Sequence, residues 1–214
     1  MSYEYLFFDL DGTLTDPREG ITNSVAYALE KWGITVTDKR ELYRFIGPPL
    51  FDSFARFYGF SKEDSIKCVE YYREYYSTKG IFENELYQGI PTMLAKLKKS
   101  GRKIVLATSK PELFAKQILD MFDLTKYFDF AAGASMDESR AQKADVIRYA
   151  MESLDIRDKS KVLMIGDREQ DVIGAKLNGL ASLGVLYGYG DREEIEGAGA
   201  SYIAETVEDI LNFV

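Results

Sequence analysis

Three short apolar runs, YLFF at 5–8, KIVLA at 103–107 and KVLMI at 161–165, constrain this chain more than any other feature. They read as buried strands, and each is followed by polar residues and then by a stretch with helical spacing. LASLGVLY at 180–187 is a further predicted strand and YFDFAA at 127–132 a weaker one. KPELFAKQILDMF at 110–122 has apolar residues at helical spacing, with Pro111 suited to a first turn. KADVIRYAMESL and DVIGAKLNG are predicted helices, the second stopped by Gly179. Strands that alternate with helices predict an α/β fold, a Rossmann-like parallel-sheet core with helices on both faces.

Between about residues 18 and 84 the alternation stops. ITNSVAYALEKWG, LYRFIGPPLFDSFARFYGF and KEDSIKCVEYYREYYSTKG are helical patterns with no convincing strand between them. This predicts an inserted α-helical cap domain over 16–87, with 1–15 and 88–214 forming the core and YQGIP at 87–91 marking the return. Most of the insertion's Phe and Tyr residues are expected to fill its own core. In IGPP, Gly47 and two prolines break a helical pattern with a stiff loop, which makes Gly47 a candidate substrate contact.

The chain carries no histidine among its 214 residues. A His-based triad and a His-ligated zinc site are therefore excluded, and acid–base work falls to carboxylates, Lys, Tyr, Cys or metal-bound water. The single cysteine, Cys68, permits no intrachain disulfide and is expected only to pack. A hydrophobic fraction of 46% is enough for a sizeable core. The formal charge of −8 argues against nucleic-acid polymers and anionic membranes as partners. No run reaches the length of a membrane span, and the N-terminal apolar run is too short for a signal segment. A cytoplasmic protein is the expectation.

The first strand runs into Asp9 and Asp11 within LFFDLDGTLTD. Three explanations compete: a calcium loop, a plain strand end with exposed acids, and a metal site at the carboxyl end of a strand. The EF-hand pattern fails, because positions five and twelve counted from Asp9 are Thr13 and Gly20. The rest of the chain favours the metal site. KIVLA ends in Thr108, Ser109 and Lys110; KVLMI ends in Gly166 and Asp167, with Asp171 four residues on. In a parallel sheet these ends share one edge, where open α/β sheets bind ligands. Asp9, Asp11, Asp167 and Asp171 can then converge with a hydroxyl and with Lys143. Four clustered carboxylates repel one another, and a hard cation such as Mg²⁺ relieves that repulsion.

DLDGT, LATSK, a lone lysine and GDREQD, in this order and spacing, resemble the haloacid dehalogenase-like hydrolase superfamily over nearly the whole chain, helical cap included. The resemblance implies that Asp9 is the nucleophile, forming an aspartyl-phosphate. It implies that Asp11 protonates the leaving alkoxide and then takes a proton from the hydrolytic water. Asp11 then needs a raised pKa, for which the crowd of carboxylates offers a means. By resemblance Mg²⁺ is held by the Asp9 carboxylate, the Asp11 backbone carbonyl and the Asp167 carboxylate, with Asp171 a ligand through water or an orienter of Lys143. Thr108 donates to a phosphoryl oxygen, and Lys143 holds both Asp9 and the phosphoryl group. Gly12 and Thr13 shape the turn that presents amides to phosphate. Ser109 and Lys110 are further substrate-binding candidates; Lys110 either reaches substrate or begins a helix from solvent. Arg168 either bridges to a cap acid or contacts substrate.

The GPP loop and the GDREQD wording resemble the 5′-nucleotidase and phosphoglycolate phosphatase branch. The implied activity is a Mg²⁺-dependent phosphatase for a small phosphorylated metabolite, 5′-nucleotidase-like, with phosphoglycolate phosphatase as the alternative. A sugar phosphomutase resembling β-phosphoglucomutase is the alternative from another class, and a non-catalytic phosphate-binding module a third. The expected assembly is a monomer or homodimer.

Overall fold

The structure is a computed structural model that describes residues 3–137 and 139–214. The chain divides into two compact units, one of Met1–Asp16 with Leu86–Val214 and one of Pro17–Glu85.

The first unit is built on a six-stranded, wholly parallel sheet. Its strands are β1 (Tyr5–Phe8), β2 (Lys103–Pro111), β3 (Phe130–Ala134), β4 (Val162–Gly166), β5 (Ala181–Val185) and β6 (Tyr202–Ala204). The order across the sheet is β3-β2-β1-β4-β5-β6. Phe7 of β1 lies opposite Val105 on one side and Met164 on the other. Leu6, Phe7 and Phe8 all have no solvent exposure, so β1 is covered on both faces. This explains why the central strands read as unbroken apolar runs instead of alternating ones. One of the two buried layers joins Phe7, Val105, Ala107 and Met164 to Val146, Ile147 and Ala150 of the helix Lys143–Ser153.

The chain fills the sheet outward from β1 through β2 to β3, then crosses back to lay β4 on the other side of β1. The order reverses at β1, and beyond the carboxyl ends of the strands at such a reversal open α/β sheets bind their ligands. The helix after β4, Glu169–Asn178, ends as expected at Gly179, whose φ of 74° is the left-handed conformation of a C-cap.

Two local expectations fail. The helix after β2 begins at Glu112, and Pro111 belongs to the strand, with φ −51° and ψ 129°. A proline forces the residue before it out of helical geometry, so Lys110 stays extended and cannot start a helix. The edge strand β6 was not expected. Its three residues, YIA, are too few to show any periodicity.

The second unit holds the helices α1 (Arg18–Glu30), α2 (Leu50–Tyr58) and α3 (Lys62–Tyr76), with a 3₁₀ segment at Lys39–Phe45. Its interior is aromatic. The Phe45 ring centroid lies 5.1 Å from Phe54 and 5.3 Å from Phe57, and Tyr72 stacks on Tyr76 at 5.2 Å. Cys68 is buried, and burial pushes its thiol up to about 11, which leaves it an inert packing group. The GPP sequence separates the 3₁₀ segment from α2: Gly47 takes φ 103° and Pro49 caps the helix.

Phe7 sits at the middle of the buried layer beneath the sheet. Replacing it with alanine is expected to lower the unfolding free energy by about 3–5 kcal/mol, read from urea denaturation of the whole chain.

Candidate active site

Four acidic residues gather at the carboxyl ends of β1 and β4. Asp9 follows β1 directly and is locked in line by its amide, which donates to Ile165 O of β4 at 2.9 Å. Asp167 follows β4, and Asp171 lies in the first turn of the helix Glu169–Asn178. One carboxylate oxygen from each of Asp9, Asp167 and Asp171 falls within 4.8 Å of the others, and all three residues are buried. Asp11 is buried beside them but is not part of that cluster of oxygens.

Two lysines answer the four acids. Lys143, the first residue of its helix, places Nζ 2.7 Å from Asp9 Oδ1 and 2.8 Å from Asp171 Oδ1. The same ammonium donates a hydrogen bond to Ala107 O of β2 at 3.0 Å, so two ion pairs and one hydrogen bond hold it. Burial alone would push Lys143 down; Asp171 and Asp9 outweigh it, and the ammonium sits above its ordinary value. Lys110 is also buried and places Nζ 2.5 Å from Asp11 Oδ2. It neither begins a helix nor points to solvent. The extended geometry imposed by Pro111 carries it into the site.

With all four acids ionised, two ammoniums would leave two negative charges uncompensated among buried groups. Burial and this crowding bear on the acids together. Asp167 is held well above the carboxylate range by burial, and then by Asp171 and Asp9. Asp171 is pushed up to about 6 by burial against the pull of Lys143. Asp11 is also raised. The chief cause is burial; Lys110 opposes it, and the neighbouring Asp9 contributes less than either, so the crowd of carboxylates is not the main means.

Gly12 adopts φ 83°, and a Cβ there would lie 2.1 Å from Asp167 Oδ2, so only glycine lets the turn after β1 pass the second acid. Thr13 donates from its hydroxyl to Asp167 Oδ1 at 3.2 Å. Thr108 is buried at the end of β2, and its Oγ1 accepts the Lys110 amide at 3.2 Å. Ser109 is half-buried between them. Gly47 belongs to the helical unit. Arg168 places Nε 2.8 Å from Glu194 Oε1, an acid of the core and not of the cap.

One segment escaped the sequence reading. Residues 187–190, YGYG, follow β5 and wrap Asp167. The Tyr189 amide donates to Asp167 Oδ2 at 2.8 Å. A Cβ on Gly188 would meet Asp167 Cβ at 2.4 Å, and one on Gly190 would meet Asp167 O at 2.0 Å. The signal was available: glycines at alternate positions just past a predicted strand mark a close approach of backbone.

With this geometry in view, the comparisons with known proteins are direct. The family model described as haloacid dehalogenase-like hydrolase matches residues 6–185. A 5′-nucleotidase of Pseudomonas aeruginosa is 42% identical over 195 residues, which span 91% of this chain and 88% of that protein. The tyrosine-protein kinase PtkA of Mycobacterium tuberculosis is 36% identical over 212 residues, 98% of this chain and 72% of that one. A crystal structure described as a predicted phosphatase from Clostridium acetobutylicum superposes with a TM-score of 0.98 at 51% identity, covering 100% of this chain and 98% of that one. The chain belongs to the haloacid dehalogenase-like hydrolases, and it is a phosphoric monoester hydrolase of that family.

Lys143→Met removes the ammonium between Asp9 and Asp171 and leaves two buried carboxylates uncompensated. A loss of about 3–5 kcal/mol in unfolding free energy is expected, measured by urea denaturation in EDTA.

Proposed function

We propose that this enzyme is a Mg²⁺-dependent phosphatase of a small phosphorylated metabolite, acting through an aspartyl-phosphate on Asp9, with a 5′-nucleotidase-like substrate range. The observation that carries the reading is the convergence of Asp9, Asp167 and Asp171 with Lys143 at the strand ends where the sheet order reverses. The donor set suits a hard divalent cation: three buried carboxylates, no sulfur or imidazole, and a residual charge near −2. Asp9 and Asp167 would hold Mg²⁺ through their carboxylates and Asp11 through its backbone carbonyl, with Asp171 close by. When bound, the ion supplies charge neutralisation for the phosphoryl oxygens.

The chain's own groups divide the chemistry. Lys143 fixes Asp9 through Oδ1, so that Oδ2 attacks phosphorus as the bond to the leaving oxygen breaks. Asp11, raised by burial, gives its proton to that oxygen and later takes one from the water that opens the aspartyl-phosphate. Lys110 steadies Asp11 and adds positive charge beside the phosphoryl group, with the Thr108 and Ser109 hydroxyls and the turn at Gly12 and Thr13 as further contacts. Gly47 is assigned to the substrate through the stiff loop it shares with Pro48 and Pro49. The nucleotidase-like range is supported by the relative from Pseudomonas aeruginosa. A single, buried cysteine suits the reducing cytoplasm, and among the described residues no helix is long and apolar enough to cross a membrane.

Asp9→Asn and Asp11→Asn are each expected to cut turnover by about 10³-fold or more while circular dichroism stays native; near-normal turnover in either variant refutes the mechanism. Activity is expected to vanish in EDTA and return with added Mg²⁺, and full activity in chelator would remove the metal from the scheme. A phosphate-release screen over nucleoside monophosphates, phosphoglycolate, sugar phosphates and pyrophosphate tests the range. An isomeric sugar phosphate as product, in place of free phosphate, would assign a mutase.

A further inference from the structure

Both side-chain oxygens of Asp167 are held by donors of the core itself, Oδ1 by the Thr13 hydroxyl and Oδ2 by the Tyr189 amide. Each donor is in turn secured by a phenol from the YGYG segment. Tyr187 donates from its hydroxyl to Thr13 O at 2.8 Å. Tyr189 donates from its hydroxyl to Asp16 Oδ1. We propose that Tyr187 and Tyr189 are positioning residues for the Asp167 carboxylate, each securing one of the two donors that set its orientation toward the metal.

The arrangement is more specific than a loop tied to its neighbour. The glycines at 188 and 190 bring the backbone against Asp167 where any Cβ would collide. The tyrosines at 187 and 189 both reach the segment after β1, at Thr13 and Asp16. The Tyr187 ring is seated edge-on against Tyr87, with centroids 5.0 Å apart, and the Tyr87 amide donates to Leu14 O within that same segment. Burial holds the Tyr187 hydroxyl far above its ordinary range, so it remains a donor at any working pH. Removing a group that orients a metal ligand typically costs about 10–100-fold in metal affinity. The two phenols therefore act on Mg²⁺ binding without touching the ion.

The inference rests on reading Asp167 as a metal ligand, and calorimetric titration of the full chain with Mg²⁺ alone tests both. Tyr187→Phe and Tyr189→Phe are each expected to weaken Mg²⁺ binding about tenfold. Tyr3→Phe is the control: it removes another phenol hydrogen bond of the core, to the Tyr202 hydroxyl at 3.1 Å, from the opposite end of β1. Its Mg²⁺ affinity is expected to match the wild type, whatever happens to its melting temperature. Wild-type affinity in Tyr187→Phe and Tyr189→Phe, with melting lowered as in Tyr3→Phe, overturns the bracket and leaves the metal reading intact. Equal weakening in all three variants also overturns it, since the effect would then be general loosening. No Mg²⁺ binding by the wild type overturns the metal reading and the bracket with it. If one of the two variants fails to fold, the other decides alone.

Discussion

An ammonium group with almost no access to water needs oxygens around it, and Lys143 takes its own from three separate elements. Asp9 comes from the end of β1, Ala107 O from β2 and Asp171 from the turn after β4. Removing an ion from water costs several kcal/mol, and attraction offsets that only when the geometry is good. The three elements must therefore end at the same height, which a parallel sheet with a reversal at β1 provides. Lys110 repeats the solution for Asp11 from the neighbouring strand. Even so, burial and, behind it, the neighbouring carboxylates keep Asp167 and Asp171 raised, so the site is a place of conflict held in position by the core around it. Such local conflict inside an otherwise consistent structure is typical of sites kept for function at a cost in stability.

What could be read from the sequence follows from the same physics. Strands β1, β2 and β4 were legible because burial on both faces makes them continuous apolar runs. Asp9, Asp11, Asp167 and Asp171 were legible because parallel strands bring their following residues to one edge. The destination of Lys110 was not, since Ser-Lys-Pro suits a helix start as well as an extended end, and only the steric demand of Pro111 decides. The YGYG bracket was missed for a different reason. Its purpose is close approach to Asp167, a contact across more than twenty residues of sequence that no local periodicity records. The source of Asp11's raised pKa was also misjudged, because depth of burial is a tertiary quantity and charge proximity can be guessed from a motif.

The overall charge of −8 says little about which small anion the enzyme accepts, because the relevant field is local. With all four acids ionised, two negative charges remain at the strand ends, the place proposed for a phosphate dianion. At about 4 Å and an effective dielectric near 20, each pair of unit charges contributes roughly 4 kcal/mol, so the bare site repels its own substrate. The two lysines do not cancel this, since each is already engaged with a carboxylate. A divalent cation among Asp9, Asp167 and Asp171 would offset that imbalance. Kinship and electrostatics both favour a cation there. Asp167 is the acid held furthest above its ordinary range, with hydrogen bonds from the Thr13 hydroxyl and the Tyr189 amide, and it is the carboxylate that the YGYG segment closes around. A segment with glycines at 188 and 190 packed against Asp167 is thus built around the acid whose ionised form burial penalises most visibly.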